Sequence, residues 1–259
     1  MNPVTALPTI DWAIVGPALL AGLLVLATHV PLGLQVLRKG IVFIDLAIAQ
    51  IAGLGVIAAD ALGWEPQGWA VQAAAMAAAA AGALLMTWME RRWPDIQEAL
   101  IGTLFVLASS VGILLLAGNP HGGEHLKDLL VGQILWVTPG QLWAQAGLTA
   151  VLLALWFGLR DHLGRAGFYL LFAVAVTASV QLVGVYLVFS SLIMPALAVR
   201  RAAPRWQLPL AWLGGSVAYA LGLVLSAVFD LPSGAVLVLA MALVCTALAS
   251  CLPAPPARG

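Results

Sequence analysis

The chain has 259 residues, 63% of them hydrophobic and 8% charged, with zero net formal charge from 11 basic and 11 acidic residues. Soluble domains carry about 25% charged residues, so a water-exposed globular fold is excluded, and there is no basic excess to hold nucleic acid. Mean hydropathy is +1.03, and the apolar runs are continuous, which fits membrane helices of about 20 residues and not the alternating strands, about ten residues each, of a barrel.

In chain order, the apolar runs cover residues 12–36, 41–62, 69–89, 98–117, 139–158, 167–199, 206–228 and 234–252. The stretch before the first of them lacks the basic n-region of a cleaved signal peptide, so the first run is expected to be retained. Short polar breaks separate the runs, and none is long enough for a soluble domain; residues 1–259 read as a single transmembrane domain. The 167–199 run is too long for one crossing, since 33 residues span roughly 50 Å as a helix against a hydrocarbon core of about 30 Å. Val183-Gly184-Val185 marks a break between two short crossings.

Basic residues bias loops to the cytoplasm. Arg38/Lys39, Arg91/Arg92 and Arg160/Arg165 fall in alternate breaks, and Arg200, Arg201 and Arg205 join that side only if 167–199 crosses twice. The expectation is nine crossings with the N-terminus outside and the C-terminus inside; eight helices with one long tilted member is the alternative. HLKDLLVGQILWVT, between the fourth and fifth runs, is too short to cross and reads as an interfacial or partly embedded helix, with Trp136 and Trp143 in a headgroup-level belt.

The chemistry-bearing residues are few. GxxxxGK[ST], HExxH and GxSxG are absent, so no P-loop, zincin or nucleophile-elbow site is present. Cys245 and Cys251 sit in the last apolar run as small apolar residues, with no metal-ligand spacing. Asp45 stands in an otherwise apolar stretch, and an intramembrane carboxylate marks a functional site facing the bundle interior. Gln50 lies five residues on, about 140° round the helix, so the two do not share one narrow face. Asp60 reads as a solvated helix end. Ser109, Ser110, Gln181, Ser190, Ser191 and Met194 are candidate linings of a polar path, the last four beside the helix-breaking Gly184 and Pro195. His121, Glu124, His125 and Asp128 are ligand types in an outer loop and form a candidate metal-sampling site at the outer mouth. His29 reads as hydrogen-bonded within the bundle, and His162 as a loop residue.

Several stretches, taken in order, resemble the permease family of metal-importing ABC transporters. RKGIVFIDLAIAQIAGLGV resembles its segment after the first helix, IQEALIGTLFVLASSVGILLL and KDLLVGQIL its fourth helix and the short helix that follows. VGVYLVFSSLIMPALAVRR resembles its Val-Gly-Val signature, and FDLPSGAVLVLA the start of its final helix. The resemblance implies an all-α bundle of eight to nine transmembrane helices with a type II ABC importer-like fold, in the bacterial cytoplasmic membrane. It implies a permease subunit for zinc, manganese or iron, working as a pair of copies in the membrane lipid. A separate ATPase subunit would hydrolyse ATP, and an extracytoplasmic metal-binding protein would deliver the ion; this chain would carry no cofactor and no enzymatic activity.

Asp45 matches the family's intramembrane aspartate. The histidine that follows it by four residues in the family is Ala49 here. A carboxylate assisted by the Gln50 amide is a harder ligand set than zinc prefers and nearer to manganese. The family's longer stretch before its sixth helix is only GLRDHLGRAGF here. ATPase coupling would therefore fall on Arg160, Asp161 and Arg165, on Arg91, Arg92 and Asp95, or on both groups. The competing reading is an ATP-independent secondary transporter or channel for a small solute or cation.

Overall fold

In a computed structural model, residues 11–64, 68–116, 130–159 and 162–252 are described. Among them there are nine α-helices and no strand: α1 (Trp12–Lys39), α2 (Ile44–Ala61), α3 (Trp69–Arg92), α4 (Gln97–Leu116), α5 (Pro139–Leu159), α6 (Gly164–Val183), α7 (Val185–Ala198), α8 (Pro204–Phe229) and α9 (Ser233–Cys251). Seven are identified among the described residues as long and apolar enough to cross a bilayer; α7, at 14 residues, is shorter.

Local sequence sets the helix ends. Asp11 caps α1 by accepting from the Ala13 backbone N–H at 2.9 Å, and Gly40 ends it in the left-handed region at φ 70°. Arg38 and Lys39 occupy the last turn of α1 and Arg91 and Arg92 that of α3, where cations complement the helix dipole.

Contacts fix the helix directions. Lys39 and Arg165 both reach Glu90, the Phe43 backbone N–H donates to Glu98, and Arg38 donates to Gln207. The C-terminal ends of α1 and α3 and the N-terminal ends of α2, α4, α6 and α8 therefore share one side, the basic end. α7 returns to it, because Leu192 lies against Gly33, near the end of α1. The 167–199 run is thus two antiparallel helices joined at Gly184, as the Val-Gly-Val break leads one to expect.

At 14 residues, α7 is about 21 Å long, short of the hydrocarbon thickness. Its start at Gly184 lies against the backbone of Val131 and Gly132. Irregular backbone is tolerated at depth where protein covers it, and this segment supplies the cover. Ile134, in the short 3-10 turn that follows, is 1% exposed, while Trp136 is 74% exposed. The described part of HLKDLLVGQILWVT thus packs against the α6–α7 break; residues 117–129 lie outside the described residues.

The core is built on small residues. α1 packs on α7 and α8, α2 on α3 and α4, and α6 on α3. Gly55 meets Ala74, Ala75 and Ala78, Gly82 meets Ile48 and Ile51, and Gly222 meets Leu237 and Ala240. In lipid, no hydrophobic drive distinguishes neighbour from solvent, so close approach through small side chains holds the helices together.

Candidate functional site

Asp45 sits in the first turn of α2 and is fully buried, and neither carboxylate oxygen has a hydrogen-bond partner. The helix start supplies a favourable dipole, yet both oxygens keep their acceptor capacity. One turn on, Ala49 is 1% exposed, so a buried methyl stands where a second ligand would be needed. Gln50 is half-buried and faces a crevice of about 20 Å³, lined also by Ala49, Gly53, Ser109 and Val185. That is room for about one water. The Ser109 hydroxyl there is without a partner. Asp45 is not in this lining, in keeping with the angle between the two positions.

The remaining path candidates do not converge. Ser110 is on the exposed side of α4 and donates to the Val106 carbonyl. Ser190 and Ser191 are buried and donate to the carbonyls of Tyr186 and Leu187, each at 2.7 Å. Met194 lines a groove between α7 and α9 beneath Arg200 and Arg201. Gln181 lines a different cavity, of about 360 Å³, with Gln72, Gln141 and Gln145. Sequence reading missed these three amides, although Gln141 and Gln145 are spaced to share a face of α5.

Two further buried polar groups belong to the core. The Tyr219 hydroxyl pairs with Ser191 Oγ at 2.9 Å. His29 Nδ1 lies 2.9 Å from the Val25 carbonyl, which accepts only, so the proton is on Nδ1; Nε2 is buried without a partner. The expectation that His29 is bonded within the bundle holds for one nitrogen.

At the basic end, Glu90 is the shared partner of Lys39 at 3.4 Å and Arg165 at 3.6 Å. The Lys39 ammonium also stands over the Phe168 and Tyr169 rings, 5.4 and 5.9 Å from their centroids, and Gln97 donates to the Tyr169 hydroxyl at 2.6 Å. Arg91, Arg92 and Asp95 are exposed around the Pro94–Ile96 turn. Arg160 and Asp161, and the loop residues His121, Glu124, His125 and Asp128, lie outside the described residues. Among the described residues no three His, Cys, Asp or Glu side chains group as a metal site.

Comparison with known proteins bears on the whole chain. The family model described as the ABC 3 transport family matches residues 11–251. An uncharacterised membrane protein of Synechocystis is 30% identical over 61% of this chain and 63% of its own length. A manganese transport system membrane protein of Halalkalibacterium halodurans is 28% identical over 55% of this chain and 56% of its own. A probable metal transport system membrane protein of Chlamydia trachomatis is 25% identical over 58% of each chain. The chain thus spans less than two thirds of the length of these relatives. Among solved structures, PsaBC from Streptococcus pneumoniae in complex with Fab aligns with a TM-score of 0.74 at 21% identity, covering 92% of this chain and 91% of that one. An inward-facing putative metal-chelate type ABC transporter aligns at 0.71 and 18%, covering 95% and 91%. At these identities the two structures establish the fold.

Proposed function

The chain belongs to the ABC 3 transport family, and from that premise we propose that it is the membrane-spanning permease subunit of an importer for a divalent transition metal. The observation that carries the reading is Asp45: a buried carboxylate with two unpartnered oxygens inside a chain of this family. A lone carboxylate gives a passing cation charge compensation in a low-dielectric environment without holding it as a complete ligand cage would. A hard oxygen donor such as the Asp45 carboxylate suits manganese, and a manganese system is named among the relatives.

Two copies of the chain would enclose the path, since the crevice at Gln50 is too narrow by itself. A separate ATPase would dock at the basic end, with Arg91, Arg92 and Asp95 as its contacts, and an extracytoplasmic binding protein would deliver the ion at the opposite end. The basic end is the cytoplasmic one on this reading, in a bacterial inner membrane.

The test is metal accumulation in cells carrying the whole operon, with zinc, manganese and iron measured in parallel. Asp45→Asn and Asp45→Ala should each lower uptake by about tenfold or more, because about 1.4 kcal/mol in a barrier already gives that factor, with the permease still present in the membrane. Unchanged uptake of all three metals in both variants would remove Asp45 from the path. Uptake that continues without the neighbouring ATPase would favour a secondary transporter.

A further inference from the structure

We propose that a cavity at the basic end binds the headgroup of an anionic phospholipid. The cavity measures about 590 Å³ and is walled by α1, α5, α6 and α8. Its lining changes character with depth. Arg38 and Lys39 stand at the end of α1 and Arg165 at the start of α6, with Gln207 beside Arg38. Deeper in, the walls are Pro31, Trp156 and Leu208. Pro31 lies eight residues before Lys39, so the change runs over about 12 Å along the helix. That gradient matches an amphiphile whose phosphate sits at headgroup level and whose first chain carbons lie against apolar side chains.

Charge favours an anion. Among the described residues the lining has three cations and no carboxylate. Glu90, just outside it, is shared by Lys39 and Arg165, while Arg38 meets the neutral amide of Gln207 at 3.0 Å. Two positive charges are therefore left over for one or two phosphates. Basic pockets between transmembrane helices at the cytoplasmic surface take acidic lipid headgroups on these grounds, and guanidinium groups bind phosphate through paired donors. A partner protein's side chain would satisfy the cations but has no use for an apolar inner wall between membrane helices, so lipid is the better occupant.

The test uses the purified full chain in detergent. Phosphatidylglycerol, phosphatidylcholine and inorganic phosphate are added separately and thermal unfolding is followed. Phosphatidylglycerol should raise the midpoint by about 5 °C at a concentration about 100 times its dissociation constant, with little effect from the other two. Arg38→Gln combined with Arg165→Gln should abolish the rise, and Arg91→Gln combined with Arg92→Gln, at the same end but outside the lining, should keep it. If the first pair fails to fold, Gln207→Leu and a native mass spectrometric count of retained phosphatidylglycerol replace it, with fewer bound copies expected than in the wild type. Equal shifts from phosphatidylglycerol and phosphatidylcholine overturn the proposal, as does a rise that survives loss of both arginines or an unchanged lipid count in Gln207→Leu. An equal shift from inorganic phosphate would assign the cavity to a free anion, and loss of the bound lipid on addition of the ATPase subunit would assign it to protein; either result overturns it as well.

Discussion

Asp45 and Tyr219 are both fully buried polar side chains, and they differ in what their oxygens meet. The Tyr219 hydroxyl has Ser191, and Ser191 also bonds within its own helix to the Leu187 carbonyl, so this pair is structural. Polar pairs between membrane helices average about 0.6 kcal/mol. Tyr219→Phe and Ser191→Ala should each cost about that much, and the double variant less than their sum; additive losses in a double-mutant unfolding cycle would show that the bond does not couple α7 to α8. Asp45 has no such partner, and its unmet acceptors are what make it the candidate site. The two were unequally legible in sequence. A carboxylate in an apolar run announces itself, whereas a tyrosine in one looks like core, and its partner lies 28 positions away. The same limit hid Gln72, which lines one cavity with Gln181 because α3 and α6 pack together.

Between elements, contact is made backbone to backbone where the chain allows it. A Cβ added at Gly33 would lie 1.9 Å from the Leu192 carbonyl oxygen, while one at Gly16 in the same helix would meet nothing within 4 Å. Gly33→Ala should therefore push α1 from α7 and lower stability by about 1–3 kcal/mol, the usual penalty of overpacking, and Gly16→Ala should be neutral or slightly stabilising. Thermal unfolding of the two variants in detergent checks this, and equal midpoints would refute the close contact. Gly184 is a different case, since at φ 79° and ψ 161° it adopts a backbone that only glycine takes readily. The break there was readable because Gly interrupts a run too long to cross once. What covers it was not readable: Val131 and Gly132 come from a segment that hydropathy alone marks only as a short apolar stretch. Helix existence follows from hydropathy and turn residues, but which helix touches which depends on small-residue matches between distant stretches.

For the whole molecule, zero net charge conceals a strong polarity. Arg38, Lys39, Arg91, Arg92, Arg165, Arg200, Arg201 and Arg205 belong to one end, with Glu90, Asp95 and Glu98 among them. The described residues at the other end include Asp11, Asp60 and Asp230 and no cation. The charge pattern that led to nine crossings in the sequence is the same pattern the helix directions reproduce, because the positive-inside bias acts on each loop and the fold then gathers those loops together. On the proposed function, an acidic mouth would raise the local concentration of a divalent cation and a basic mouth would repel it, which suits inward delivery from the acidic side. The proposed function thereby implies an orientation that can be measured. In a background with Cys245 and Cys251 replaced by alanine, Arg92→Cys should react with a membrane-impermeant thiol reagent only after the cells are opened. Leu62→Cys, at the acidic end and 72% exposed, should react in intact cells. The reverse pattern would overturn that orientation, and with it the side proposed for ATPase docking and the proposed direction of transport.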